Sequence, residues 1–200
     1  MTLTRTRHRL AALMLMALTG CEDFVSGAGL RETQVLGGAL TIAAPAGYCI
    51  DPKASVTRGS AVVALIGRCT ARGEVAPAVV SVTVGQAASA GVLVSGPVAL
   101  ARFLTSSQGR RLLARDGVAG HVAVIETRIS KGALFVHLND RSAGEYWRAI
   151  LALRGRLVTV SASGTDGAPL TPVQGLTLVQ QVVTILDKRN PDKAPPAQPM

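Results

Sequence analysis

The chain has 200 residues and a formal net charge of +9; 48% of its residues are apolar but only 3% are aromatic. That is one domain's worth of chain, with a core that small aliphatic side chains must build. The basic residues are mostly arginines, scattered and without interleaved aromatics, which argues against a nucleic-acid-binding patch. Their excess implies weak attraction to anionic lipid headgroups.

Arg5, Arg7 and Arg9, with His8 among them, form a positive start. Leu10 to Leu18 follows as a run of Leu, Ala and Met. It is too short to span a bilayer, which takes about 20 apolar residues, and it has the proportions of a signal-peptide core. Leu18-Thr19-Gly20-Cys21 then resembles the lipobox of bacterial lipoproteins. The resemblance implies that residues 1–20 are removed and that Cys21 becomes an acylated N-terminus, bearing a diacylglycerol thioether and a palmitate-type chain. Membrane lipid is then one partner, and the domain faces the periplasm from the cell envelope, with inner or outer membrane left open. Two or three acyl chains, at about 0.8 kcal/mol per buried CH₂, hold such a chain on its membrane. The alternative is an ordinary signal peptide with an incidental cysteine. Loss of the leader leaves 18 basic residues against 12 acidic ones.

Residues 21–38 contain Gly and Ser with little periodicity and read as a lipidated tether. A single domain is expected over 39–189, and a Pro-, Lys- and Ala-rich disordered tail over 190–200. Ala39–Ala43 predicts a strand, Pro45-Ala46-Gly47 a turn, and the stretch after Pro52 a polar loop to Ser60. Ala61–Gly67 and Val79–Val84 predict strands. Cys49 and Cys69 are an even pair in an oxidising compartment, so a disulfide is the economical reading. Two reduced buried thiols or half of a metal site are the alternatives.

Pro97 to about Arg115 predicts a helix broken at Ser106-Ser107-Gln108-Gly109, with Val98, Phe103, Leu104, Leu112 and Leu113 on its buried side. His121–Ile129 and Ala133–Leu138 predict a hairpin turning at Ser130-Lys131-Gly132. Tyr146–Leu153 gives mixed strand and helix signals. Arg154-Gly155-Arg156 is a tight turn, and Leu157–Ala162 alternates as a strand. Thr171-Pro172 opens a helix to about Lys188, with Leu176, Val179, Val182, Val183 and Leu186 at helical spacing. Three strands, a helix, four strands and a helix predict an α+β domain: a mainly antiparallel sheet packed with two helical segments.

Pro45-Ala46-Gly47-Tyr48, together with the hairpin Glu145–Gly164 and its following helix, resembles the Mog1/PsbP-type α/β/α sandwich. The string Gly47-Tyr48-Cys49-Ile50-Asp51-Pro52 with Gly67-Arg68-Cys69 resembles small lipoproteins of alphaproteobacteria.

Candidate chemistry is sparse. His121 and His137 fall in one predicted hairpin but a few residues out of register; with Glu126 or Asp140 they would make a two-histidine, one-carboxylate metal site, set against ordinary surface or partly buried histidines. Ser161 and Ser163 lack a nucleophile-elbow context. Gly27-Ala28-Gly29 and Gly37-Gly38 lack the Lys-Ser/Thr of a phosphate loop. Tyr146, Trp147 and Arg148 are of the types that dominate interfaces; the competing reading places Trp147 in the core. These features predict a non-enzymatic envelope lipoprotein that binds a protein or glycan through one face of its sheet, without cofactor, metal or nucleic acid. A small-molecule or lipid carrier with an apolar pocket between sheet and helices is the second reading, and an enzyme the third.

Overall fold

The computed structural model describes residues 29–70, 74–165 and 167–191. The expected leader, the lipidation site Cys21 and the tail beyond Pro191 lie outside the described residues. Strict alternation of buried and part-exposed residues marks Ala78–Val84 (β5) and Arg156–Gly164 (β9), and their pairing forms the middle of a seven-stranded antiparallel sheet. Tyr48–Arg58 (β3) and Ala61–Arg68 (β4) extend it on one side; Gly144–Leu153 (β8), Ala133–Asp140 (β7) and Val122–Ser130 (β6) extend it on the other. The spatial order is β3-β4-β5-β9-β8-β7-β6. A separate two-stranded sheet pairs Glu32–Val35 (β1) with Leu40–Ala43 (β2). The helices are Gly96–Thr105 (α1), Ser107–Leu113 (α2) and Pro172–Arg189 (α3). The α+β expectation holds. Among the described residues, no helix is long and apolar enough to cross a membrane.

Two hairpin turns are built as the sequence requires. Lys131-Gly132 and Arg154-Gly155 each put two successive residues at positive φ (48° and 75°; 46° and 73°), the mirror-image turn whose twist matches paired strands. The mixed signals of 146–153 resolve as strand because those residues lie between β7 and β9 and bury on both faces.

Cys49 and Cys69 are bonded to each other. The bridge ties β3 to the residue just after β4, where Tyr48 pairs with Arg68 and Cys69 N–H donates to the Gly47 carbonyl.

One face of the main sheet is covered by α3 and the β1–β2 hairpin. Val80, Val82, Val158, Val160, Ala162 and Trp147 meet Leu178, Val179, Val182 and Leu186 there. Thr171 opens α3 with a reciprocal cap: Gln174 N–H donates to Thr171 Oγ1, and Thr171 N–H donates to Gln174 Oε1. Leu178 is buried in α3, while the expected Leu176 is only partly buried.

Several boundaries differ from the sequence reading. Residues 32–35 of the expected tether form β1. Asn190, expected in the tail, is buried; its side-chain amide accepts from Thr41 N–H and donates to Thr41 O, both at 2.8 Å, and so completes the free edge of β2. The expected polar loop before Ser60 is strand, because Asp51 and Ser55 form a local bulge. Asp51 Oδ1 accepts from Lys53 and Ala54 N–H, while Ser55 Oγ donates to Asp51 O and accepts from Leu65 N–H. The register then resumes at Val56. The helix break is real: Ser106 ends α1 and caps α2 through Gly109 N–H. It resets the helical phase, so only Leu104 and Leu113 of the five expected residues bury, and Val98, Phe103 and Leu112 face outward.

The bridge closes a loop with a sequence separation of 20, worth about 3 kcal/mol in the chain-entropy model. Cys49→Ser and Cys69→Ser are each expected to lower Tm by about 6–12 °C in scanning calorimetry. Unchanged melting in both would remove the cross-link from the stability of this fold.

Candidate functional site

The second face of the sheet is only half covered. α1 and α2 lie over β6 and β7, where Leu104 and Leu113 pack on Val136, Leu138, Tyr146 and Ile150. Among the described residues, the 3-10 turn Ser89–Leu93 near one end of β9 is the main cover over the half formed by β9, β5 and β4. Register places its side chains in rows. Leu65 pairs with Ser81, Ser81 with Ser161, and Ser161 with Arg148. Val63, Thr83 and Thr159 form the row beside it. Val63 is 37% exposed and Val79 41%, while the alternating residues Val62, Val80 and Val82 bury on the α3 face.

Arg148 stands at the boundary between the covered and open halves. Its Nε donates to Ser161 Oγ at 2.9 Å and its Nη2 to Tyr146 Oη at 3.3 Å, and its guanidinium lies over the Tyr146 ring, 5.5 Å from the centroid. Among the described residues no carboxylate lies within ion-pair distance of it. The remaining N–H groups of this half-buried cation are directed by two fixed neighbours, an arrangement suited to an anion or a carbonyl oxygen.

The three expected interface residues therefore do not act together. Tyr146 is buried against α1 and α2, with its hydroxyl reaching Arg148. Trp147 points to the opposite face and is 2% exposed, so it is a core residue. Its ring stacks on His137, with centroids 4.6 Å apart and planes 4° apart. Arg128 covers it at 5.5 Å, and a Cβ on Gly175 of α3 would meet it at 3.3 Å. Only Arg148 remains as a surface candidate.

His137 pairs in register with Glu126 on β6. Its Nε2 is buried and lies 2.8 Å from Glu145 Oε1. Glu126 is engaged by Arg128, whose hydrogen bond is the main reason its pKa is lowered.

His121 is elsewhere. It ends a 3-10 turn before β6 rather than lying in the strand, and its Nδ1 meets Asp116 Oδ2 at 2.5 Å. That contact is the first cause of the lowered Asp116 pKa. The β-turn after β7 belongs to Asp140. Burial raises its pKa, but Ser142 Oγ–H and the N–H groups of Ser142, Arg115 and Ala143 outweigh burial, so the net shift is downward. The histidines thus sit in two separate clusters, which corrects the two-histidine reading. Among the described residues no three His, Cys, Asp or Glu side chains converge on a metal position.

Valine and leucine side chains fill the space between α3 and the sheet, where the carrier reading places a pocket. An open groove of about 800 Å³ lies instead on the outer flank of α3, lined by Tyr48, Val75, Leu170, Thr177 and Gln181. A smaller one of about 370 Å³ lies beside Cys49 and Cys69.

No protein-family model and no curated protein matches the chain. Among solved structures, it is similar to the Ran-binding protein Mog1p of Saccharomyces cerevisiae, with 13% identity and a TM-score of 0.48 over 80% of this chain and 93% of that one. A mutant of Mog1 matches to the same degree. The cyanobacterial PsbP of Synechocystis is similar at 16% identity and a TM-score of 0.44, over 84% of this chain and 96% of that one. Mog1 and PsbP are the two names of the single sandwich type expected from the Pro45–Tyr48 segment and the last hairpin and helix.

Two outcomes test this geometry. Trp147, the single tryptophan of the chain, is expected to emit at short wavelength and to resist acrylamide until the protein unfolds; easy quenching in the native state would return it to the surface. Asp140→Ala is expected to cost about 2 kcal/mol, since it strips a charged acceptor from several donors. Because its folded pKa is depressed, the contribution of Asp140 is complete above about pH 4 and lost as pH falls through the folded value. Urea unfolding of wild type and variant should therefore converge in acid and differ at neutral pH.

Proposed function

We propose that this chain is a non-enzymatic binding domain of the bacterial cell envelope, anchored through an acylated Cys21, and that it engages a protein partner through the open half of its sheet. The observation that carries the binding reading is Arg148. It is positioned by Ser161 and Tyr146, lacks a carboxylate among the described residues, and looks onto the Ser, Thr and Val rows of the open half. A cation held this way costs desolvation that an incoming acceptor offsets. Val63, Leu65 and Val79 supply apolar contact farther out on the same face, two to three strands from Arg148. The anchoring reading is supported by the order of arginines, apolar run and Leu18-Thr19-Gly20-Cys21.

The binding reading is tested in intact cells with a photo-crosslinking residue at Thr83 or Thr159, and at Gln180 of α3 as the comparison. A discrete protein adduct is expected from the sheet positions and not from Gln180. Arg148→Gln should cut its yield about tenfold or more, the scale for losing a desolvated charged hydrogen bond. Equal adducts from both faces, or none from the sheet, would overturn it. Intact mass of the membrane-extracted protein tests the anchor: a chain beginning at Cys21 with acyl mass supports it, and an unacylated chain contradicts it.

A further inference from the structure

We propose that the outer surface of α1 and α2, with the turn before them, docks on an anionic phospholipid bilayer. The proposal goes beyond the open half-face and shares with it only the anchored Cys21.

The turn before α1 and the outer sides of α1 and α2 expose aliphatic side chains. Val94 is 86% exposed, Leu112 70% and Val98 59%, with Val92 and Phe103 also exposed. Soluble surfaces carry single exposed aliphatics freely, but a group of them on one layer marks an interaction site. The charge in this layer has one sign. No Asp or Glu occurs between Glu74 and Asp116, whereas Arg102, Arg110, Arg111 and Arg115 all do. Exposed aliphatic side chains among arginines, on helices lying flat against a sheet, are the chemistry of a helix seated at the headgroup boundary.

The choice of lipid over an acidic protein rests on the expected anchor, which limits the distance from the bilayer: from Cys21 to Gly29 the chain reaches at most about 28 Å. Docking on the same bilayer is then intramolecular, and a weak surface suffices. In this pose the open half-face, on the same side of the sheet, stands off from the lipid by about one helix diameter, ~10 Å, so bilayer docking and capture of a folded protein partner there are alternative states of the domain.

The test is hydrogen–deuterium exchange of the full acylated protein in phosphatidylcholine vesicles, with and without one-third phosphatidylglycerol. Residues 89–115 are expected to slow only in the anionic vesicles, with α3 unchanged. Protection should disappear in Arg110→Gln/Arg111→Gln and in Val94→Ser/Leu112→Ser, while exchange of β5 and β9 stays native and so reports intact folding. Arg148→Gln should leave it intact, which separates this surface from the open half-face. Identical exchange in both vesicles would overturn the proposal. So would protection that arises only on adding an envelope protein extract, which would assign the surface to a protein.

Discussion

A seven-stranded sheet has two faces, and the helices among the described residues do not cover both. α3, helped by the β1–β2 hairpin, closes one face, while the short helices α1 and α2 close only half of the other. Each strand still alternates, so its residues must divide between a filled side and a side that in part stays open. On β5 the division is plain: Val80 and Val82 are fully buried and Val79 is 41% exposed. Full burial of a valine is worth about 1.5–3 kcal/mol, so leaving Val63 and Val79 uncovered forfeits roughly 1 kcal/mol at each. The Ser and Thr residues between them limit that loss and keep the surface wettable.

The same alternation separates two adjacent side chains of opposite character. Trp147 turns inward, where His137 stacks on it and the absence of a side chain on Gly175 lets α3 come close. Arg148 turns to the other face, where a serine and a tyrosine hydroxyl fix its direction. The inward neighbour packs β8 against α3, and the outward one projects from the same strand. Sites carried on strands hold their geometry better than sites on loops.

What could be read in advance was local. Lys131-Gly132 and Arg154-Gly155 announce their turns, Thr171-Pro172 announces α3, and the helix break at Ser106 is visible in its residues. The misses have physical causes. β3 hides behind polar residues because its bulge is held by Asp51 and Ser55 side chains, and β1 is short and half exposed. The phase of α1 and α2 depends on which leucines the sheet accepts, so Val98 and Leu112 looked like core. Of the site, Arg148 was visible by type. Ser81, Thr83 and Thr159 were not, because they join it only through the pairing of β5 with β9, strands far apart in sequence. Trp147 was legible in both of its readings, and burial decides between them.

The half-open face is the claim on which the account turns, and hydroxyl-radical footprinting of the purified protein tests it residue by residue. Val63, Leu65 and Val79 should be oxidised, while their strand neighbours Val62, Ile66 and Val80 are protected. Protection of all six would mean that the face is covered and that Arg148 is not available to a partner.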